Sequence, residues 1–105
     1  TIEPRHRNGW LSYWIDPRMR GQGLASRAAA TLAAWAFEER SLFRLELGHR
    51  ANNPASGRVA ERAGFQREGL QRSKLEYDGI RFDVFAFARL ATDPAPDIEL
   101  LPVEV

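Results

Sequence analysis

Two glycines and two arginines stand where a strand-like segment hands over to a helix, in Arg18-Met19-Arg20-Gly21-Gln22-Gly23-Leu24-Ala25. Upstream, Trp10-Leu11-Ser12-Tyr13-Trp14-Ile15 is rich in aromatic and β-branched residues and closes at Asp16-Pro17. Downstream, Leu24, Ala25, Ala28, Leu32, Trp35 and Ala36 recur at helical spacing. Glycine lets a backbone turn tightly and come close to a ligand. The first turn of a helix offers unpaired N–H groups and the positive end of its dipole. With Arg18 and Arg20 beside it as charge partners, such a turn is a site for phosphate.

Two common phosphate loops are excluded by spacing. A P-loop needs four residues between its first glycine and a Gly-Lys-Ser/Thr triplet, and the lysine is missing here. A dinucleotide fingerprint needs a third glycine where Ser26 stands. What remains is Arg-x-x-Gly-x-Ala at Arg20, Gly23 and Ala25. A second segment, Asn53 to Phe65, reads as one short helix with marked ends. Asn53 suits the N-cap, Pro54 the first helical position and Gly64 the position just past the end. Arg-x-x-Gly-x-Ala, together with Asn53-x-x-Ser56, Gly64-Phe65, Glu68-Gly69 and Asp78-Gly79, resembles the GNAT N-acetyltransferases. The similarity is to their Rim-type branch, which acetylates ribosomal proteins, and it runs from about Trp10 to Leu90.

The resemblance implies acetyl-coenzyme A as cosubstrate and direct attack by a primary amine, with no covalent enzyme intermediate. The acceptor would be a small molecule or a protein N-terminus. The pyrophosphate would lie on the backbone amides of Gly21, Gly23, Leu24 and Ala25, flanked by Arg18, Arg20 and Gln22. Asn53 would lie along the pantetheine arm and Ser56 would face the sulfur, giving a hydrogen bond or proton to the leaving thiolate. Arg62 would meet the adenosine end, or simply be a solvated helix residue. For a general base there are two candidates. Glu46 alternates with Leu45 and Leu47 and so faces away from the core, toward the cleft. Glu76 lies near the carboxylate of some Rim-type enzymes, although the register places Leu75 there. Either glutamate is equally readable as half of an ion pair. Tyr13, Trp14 and Tyr77 read as core or cleft-lining aromatics. Two rivals from other classes remain: a non-catalytic coenzyme A-binding module, and an interaction domain completed by a partner chain.

The elements that must position these residues are a strand over about 9–16, a helix 22–40, a strand 43–50, a helix 54–63 and a hairpin 66–90. The hairpin turns at Asp78-Gly79, a type I′ signal. The fold class is α/β with a mixed sheet, in the order β-α-β-α-β-β. A right-handed crossover joins the first two strands, and the resemblance implies that they splay to admit the cofactor. Residues 1–92 would form the acetyl-coenzyme A-binding half of a GNAT domain that lacks its N-terminal strands and helices. Residues 93–105 would form an acidic, proline-containing tail. The strand over 9–16 would then be a bare edge, open to homodimer formation through that edge or by exchange of the hairpin.

The chain of 105 residues suffices for one modest core. Without cysteine it has neither disulfide, thiolate metal cluster nor cysteine nucleophile. His6 and His49 lie far apart in sequence, so no metal site is expected. Four acids and no base follow residue 92, so the net +1 of the chain leaves +5 on the body, which suits an anionic cofactor. No aromatic-interleaved basic stripe points to nucleic acid. No apolar run approaches membrane-spanning length, and no signal-peptide pattern opens the chain; the expectation is a cytoplasmic protein.

Overall fold

The computed structural model describes residues 2–3, 5–11 and 23–101. Most of the strand expected over 9–16 therefore lies outside the described residues, as do Arg18, Arg20, Gly21 and Gln22. The elements are β1 (Ile2–Glu3), β2 (Asn8–Trp10), α1 (Leu24–Glu39), β3 (Arg44–Arg50), α2 (Pro54–Arg62), β4 (Gln66–Tyr77) and β5 (Ile80–Leu90). They form one mixed sheet in the order β1-β2-β3-β5-β4, with β2 and β3 parallel and the other pairs antiparallel. One correction concerns the start of the sheet. The first expected strand is not its edge, because β1 pairs with it through Ile2↔Gly9 and Glu3↔Asn8. Two residues are too few to carry a readable alternation.

Leu45 and Leu47 alternate onto one face of β3 and meet Arg89 and Phe87 of β5 in register. Helices α1 and α2 cover that face. The core joins Leu45, Leu47, Phe65 and Phe87 to alanines 29, 30, 33, 36, 60 and 63. An alanine stripe lets α1 lie close to the sheet, where packing is dense. Leu32 and Trp35 recur at the helical spacing of α1 without joining its buried stripe. They stand at its flank instead, 46% and 39% exposed, beside a small apolar cavity with Trp10 and Leu11. Periodicity gives the direction of a face but not which neighbour covers it.

Arg89 is buried among these groups. Its Nη1 donates to the Ala63 carbonyl at 3.2 Å, and its guanidinium lies 5.4 Å from the centre of the Phe37 ring. Burial pushes its pKa below the usual arginine value, and the nearby Asp93 charge opposes that shift. Beyond β5 the chain returns along α1. Arg27 Nε donates to the Glu99 carbonyl at 2.9 Å, and Thr31 Oγ1 accepts from the Leu101 amide at 2.9 Å while donating to the Arg27 carbonyl at 2.6 Å.

The hairpin turns where expected: Asp78 and Gly79 have φ of 52° and 78°, both left-handed as a type I′ turn requires. Strand β4 is not regular. Its register slips between Arg67 and Gly69, and again between Gln71 and Leu75. Each bulge adds residues to β4 and changes which side chains face the sheet's open surface.

Candidate functional site

Helix α1 starts on Gly23, which has φ 69° and ψ 3°. Its carbonyl accepts the Arg27 amide at 3.1 Å, the first turn of the helix. A Cβ there would meet nothing within 4 Å among the described residues, and the left-handed backbone itself favours glycine. No acidic side chain stands in the first turn of α1, so nothing in that turn neutralises the positive end of the dipole. This fits an anionic group bound by backbone N–H donors. Leu24 and Ala25 follow as the first helical residues.

Helix α2 has both of its expected ends. Asn53 Oδ1 accepts from the Ser56 amide at 3.3 Å, and Pro54 occupies the first position. At the other end the Phe65 amide donates to Ala60 O at 3.0 Å and the Gly64 amide to Glu61 O at 3.0 Å. With Gly64 at φ 92°, these bonds make a Schellman motif, and Phe65 folds back into the core. The helix start is thereby fixed against the C-terminal end of β3.

At that end a cleft opens. Pairing of β2 with β3 stops at Trp10↔Glu46, followed by one bond from the Leu11 amide to Glu46 O at 2.8 Å. Strand β3 continues to Arg50 with no partner on its β2 side among the described residues. A cavity of about 450 Å³ lies there, lined by Trp10, Gly48, His49, Arg50, Asn53 and Ser56, with Gln71, Lys74, Leu75, Tyr77 and Val84 from the hairpin. Gly48 keeps it open: a Cβ at 48 would fall 3.0 Å from Val84 Cγ1 and 3.6 Å from Trp10 Cη2. Ser56 is buried, only 7% exposed, yet contributes to the lining.

The two candidate carboxylates do not join this lining. Glu46 accepts from Arg44 Nη2 at 3.0 Å, and Arg44 also holds Glu68, presented by the first bulge of β4. The hydrogen bond from Arg44 keeps the Glu68 carboxyl below the usual carboxylate range, and the Arg44 guanidinium is held above its own usual value in turn. Glu76 pairs with Arg81 at 3.1 Å, whereas its neighbour Leu75 lines the cavity. Arg62 is exposed in the last turn of α2, outside the lining, where a cation complements the helix end. Of the expected site residues, the structure thus brings Asn53 and Ser56 together and sets Glu46, Glu76 and Arg62 apart from them.

Four polar residues of the cleft were missed from sequence: His49, Arg50, Gln71 and Lys74. His49 shares the alternation of Leu45 and Leu47, so it was a polar residue on an apolar face. Its Nδ1 lies 2.8 Å from the Arg50 carbonyl. A carbonyl only accepts, so Nδ1 is the donor in this pair. Nε2 is buried against Gly57 and has no hydrogen-bond partner among the described residues. Among those residues no group of three or more His, Asp or Glu side chains comes together to hold a metal ion, and no helix is long and apolar enough to cross a membrane.

A mixed sheet with a glycine-opened helix, a second capped helix and a cleft beside the central strand is an architecture shared with solved acetyltransferases. The chain matches the acetyltransferase (GNAT) domain family over residues 1–66 and belongs to that family. It is 33% identical over 89 residues to the ribosomal-protein-serine acetyltransferase of Escherichia coli (strain K12), covering 85% of this chain and 50% of that protein. Its structure is similar to that of RimL, a ribosomal L7/L12 α-N-protein acetyltransferase in complex with coenzyme A, with a TM-score of 0.78 at 30% identity over 85% of this chain and 50% of that one. A spermidine N-acetyltransferase variant from Vibrio cholerae gives a TM-score of 0.77 at 25% identity, covering 85% of this chain and 53% of that one. The chain spans about half the length of the curated relatives it matches.

Proposed function

We propose that the protein acts in N-acetyl transfer from acetyl-coenzyme A to a primary amine, by direct attack. The observation that carries this reading is the placement of Asn53 and Ser56 in one cavity at the open end of β3, in a chain of the GNAT family. Acetyl-coenzyme A would supply the thioester carbonyl: a C–N bond forms, the C–S bond breaks, the amine gives up a proton and the thiolate takes one. Backbone amides of Gly23, Leu24 and Ala25 would bind the pyrophosphate, with Arg18, Arg20, Gly21 and Gln22 completing the loop. Asn53 already serves as the N-cap of α2, and its remaining side-chain and backbone groups would position the pantetheine amides. Ser56 would donate a hydrogen bond as charge develops on the departing sulfur. Glu46 and Glu76 are both engaged by arginines, so an amine that enters already neutral, or one deprotonated through water, fits this cleft better than a direct carboxylate base.

The test is turnover. Incubation with acetyl-coenzyme A and a panel of amines should release free thiol and add one acetyl group to an acceptor. Ser56→Ala should lower kcat about tenfold or more while coenzyme A affinity changes little, because the hydroxyl matters as charge develops. Coenzyme A binding without turnover of any amine would leave a binding module and refute the enzymatic reading.

A further inference from the structure

The charges that line the cleft point to the chemistry of the acceptor. We propose that the acceptor is an amine with a carboxylate close to it, rather than a polyamine or a basic peptide. This rests on the acetyl-transfer reading above and names the substrate class of the same cavity. Arg50 from the end of β3 and Lys74 from β4 both contribute to its lining, and among the described residues no Asp or Glu does. Among the described residues neither cation has a carboxylate partner. That sets them apart from Arg27, Arg44 and Arg81, each of which pairs with a glutamate.

The Arg50 head and the backbone that carries Lys74 are both held in place. The Arg50 guanidinium lies 4.7 Å from the centre of the Tyr77 ring and 5.0 Å from that of Phe82, which fixes the head without neutralising it. Lys74 is presented by the second bulge of β4. There Ser73 has φ 50°, its amide donates to Asp83 Oδ1 at 2.7 Å, and its carbonyl accepts from Arg81 Nε at 3.0 Å and Nη2 at 2.7 Å. Asp83 and Arg81 thus stabilise an insertion that brings Lys74 and Leu75 to the cavity. Two cations in the lining that Ser56 shares, with no carboxylate among its described residues, favour an anion and repel a second cation. A peptide N-terminus followed by acidic residues and a free acidic amino acid both present this chemistry.

The experiment compares kcat/KM of the full chain for three peptides with the same N-terminal serine, followed by two glutamates, two glutamines or two lysines. Free glutamate and spermidine complete the set. The diglutamate peptide should exceed the diglutamine peptide by about tenfold, the dilysine peptide and spermidine should be poorest, and added salt should shrink the differences. Free glutamate acetylated as well as the diglutamate peptide identifies an amino-acid acceptor; poor use of it identifies a peptide. Arg50→Gln and Lys74→Gln should each lower the diglutamate-to-diglutamine ratio several-fold, and Lys74→Arg should preserve it. The ratio is internal to one preparation, so partial misfolding does not mimic the effect, and the salt dependence of the parent protein stands without any variant. Equal kcat/KM for glutamate- and lysine-bearing peptides, or a ratio unmoved when Arg50→Gln and Lys74→Gln are combined, overturns the charge preference while acetyl transfer stands. If no amine is acetylated, the acetyl-transfer reading itself falls, and this proposal with it.

Discussion

Replacing Gly57 with alanine sets two effects of similar size against each other. Gly57 lies inside α2, where alanine is intrinsically better than glycine by roughly 1 kcal/mol. The new methyl, however, would stand 3.1 Å from His49 Nε2, 3.5 Å from His49 Cε1 and 4.0 Å from Phe87 Cζ. The imidazole has little room to yield. Its Nδ1 is held by the Arg50 carbonyl, and its ring packs at 5.7 Å from Phe85 and 5.4 Å from Phe87, centre to centre. Overpacking of this kind costs about 1–3 kcal/mol. The net expectation is that Gly57→Ala destabilises by about 1 kcal/mol, the steric term outweighing the helical gain. In a His49→Ala background the obstacle is gone, and the same change should stabilise by about 1 kcal/mol. Urea denaturation of the four proteins gives the coupling, expected near 2 kcal/mol. A Gly57→Ala effect of the same sign and size in both backgrounds would refute the packing of α2 against His49.

Two further outcomes follow from the charge network and the exposed face of α1. Glu68 has its pKa lowered, so its contribution is complete above the unfolded value and disappears as pH falls through the folded one. With a side chain 46% exposed, the pair is screened, and Glu68→Gln should cost less than about 1 kcal/mol near neutrality. The difference should close on titration into acid below about pH 4; a gap that persists there contradicts the Arg44 pairing. Leu32 and Trp35 form an apolar patch with Trp10, so the chain should self-associate at raised concentration. Leu32→Asn with Trp35→Gln should reduce that in sedimentation velocity; a parent chain monomeric at all concentrations argues against it.

The parts of the fold written in local chemistry were legible. Asn53, Pro54 and Gly64 mark α2 because caps and a left-handed terminus depend on a few adjacent residues. Asp78-Gly79 fixes its turn for the same reason, and Gly23 opens α1 with the positive φ that its residue type allows. What could not be read depends on partners distant in sequence. The second bulge of β4 exists because Asp83 and Arg81 bind Ser73 across the hairpin, and alternation alone shows no slip. Lys74 looked like a solitary lysine until that slip brought it to the cleft. Arg50 gains its place from Tyr77 and Phe82, and Glu46 loses its candidacy to Arg44, which forms its pairs two and twenty-four residues away. The loop arginines and its first glycine lie outside the described residues, so the phosphate site rests on Gly23 and the first turn of α1.

Calorimetric titration of coenzyme A into the protein and into Gly23→Val tests the central claim most directly. Valine is β-branched and disfavours φ near 69°, and its side chain would crowd the amides that open α1. The parent should bind coenzyme A, and Gly23→Val should bind it at least about tenfold more weakly, with the circular dichroism of the folded chain retained. Equal affinity in the two proteins, or no binding of coenzyme A by the parent, would contradict the account.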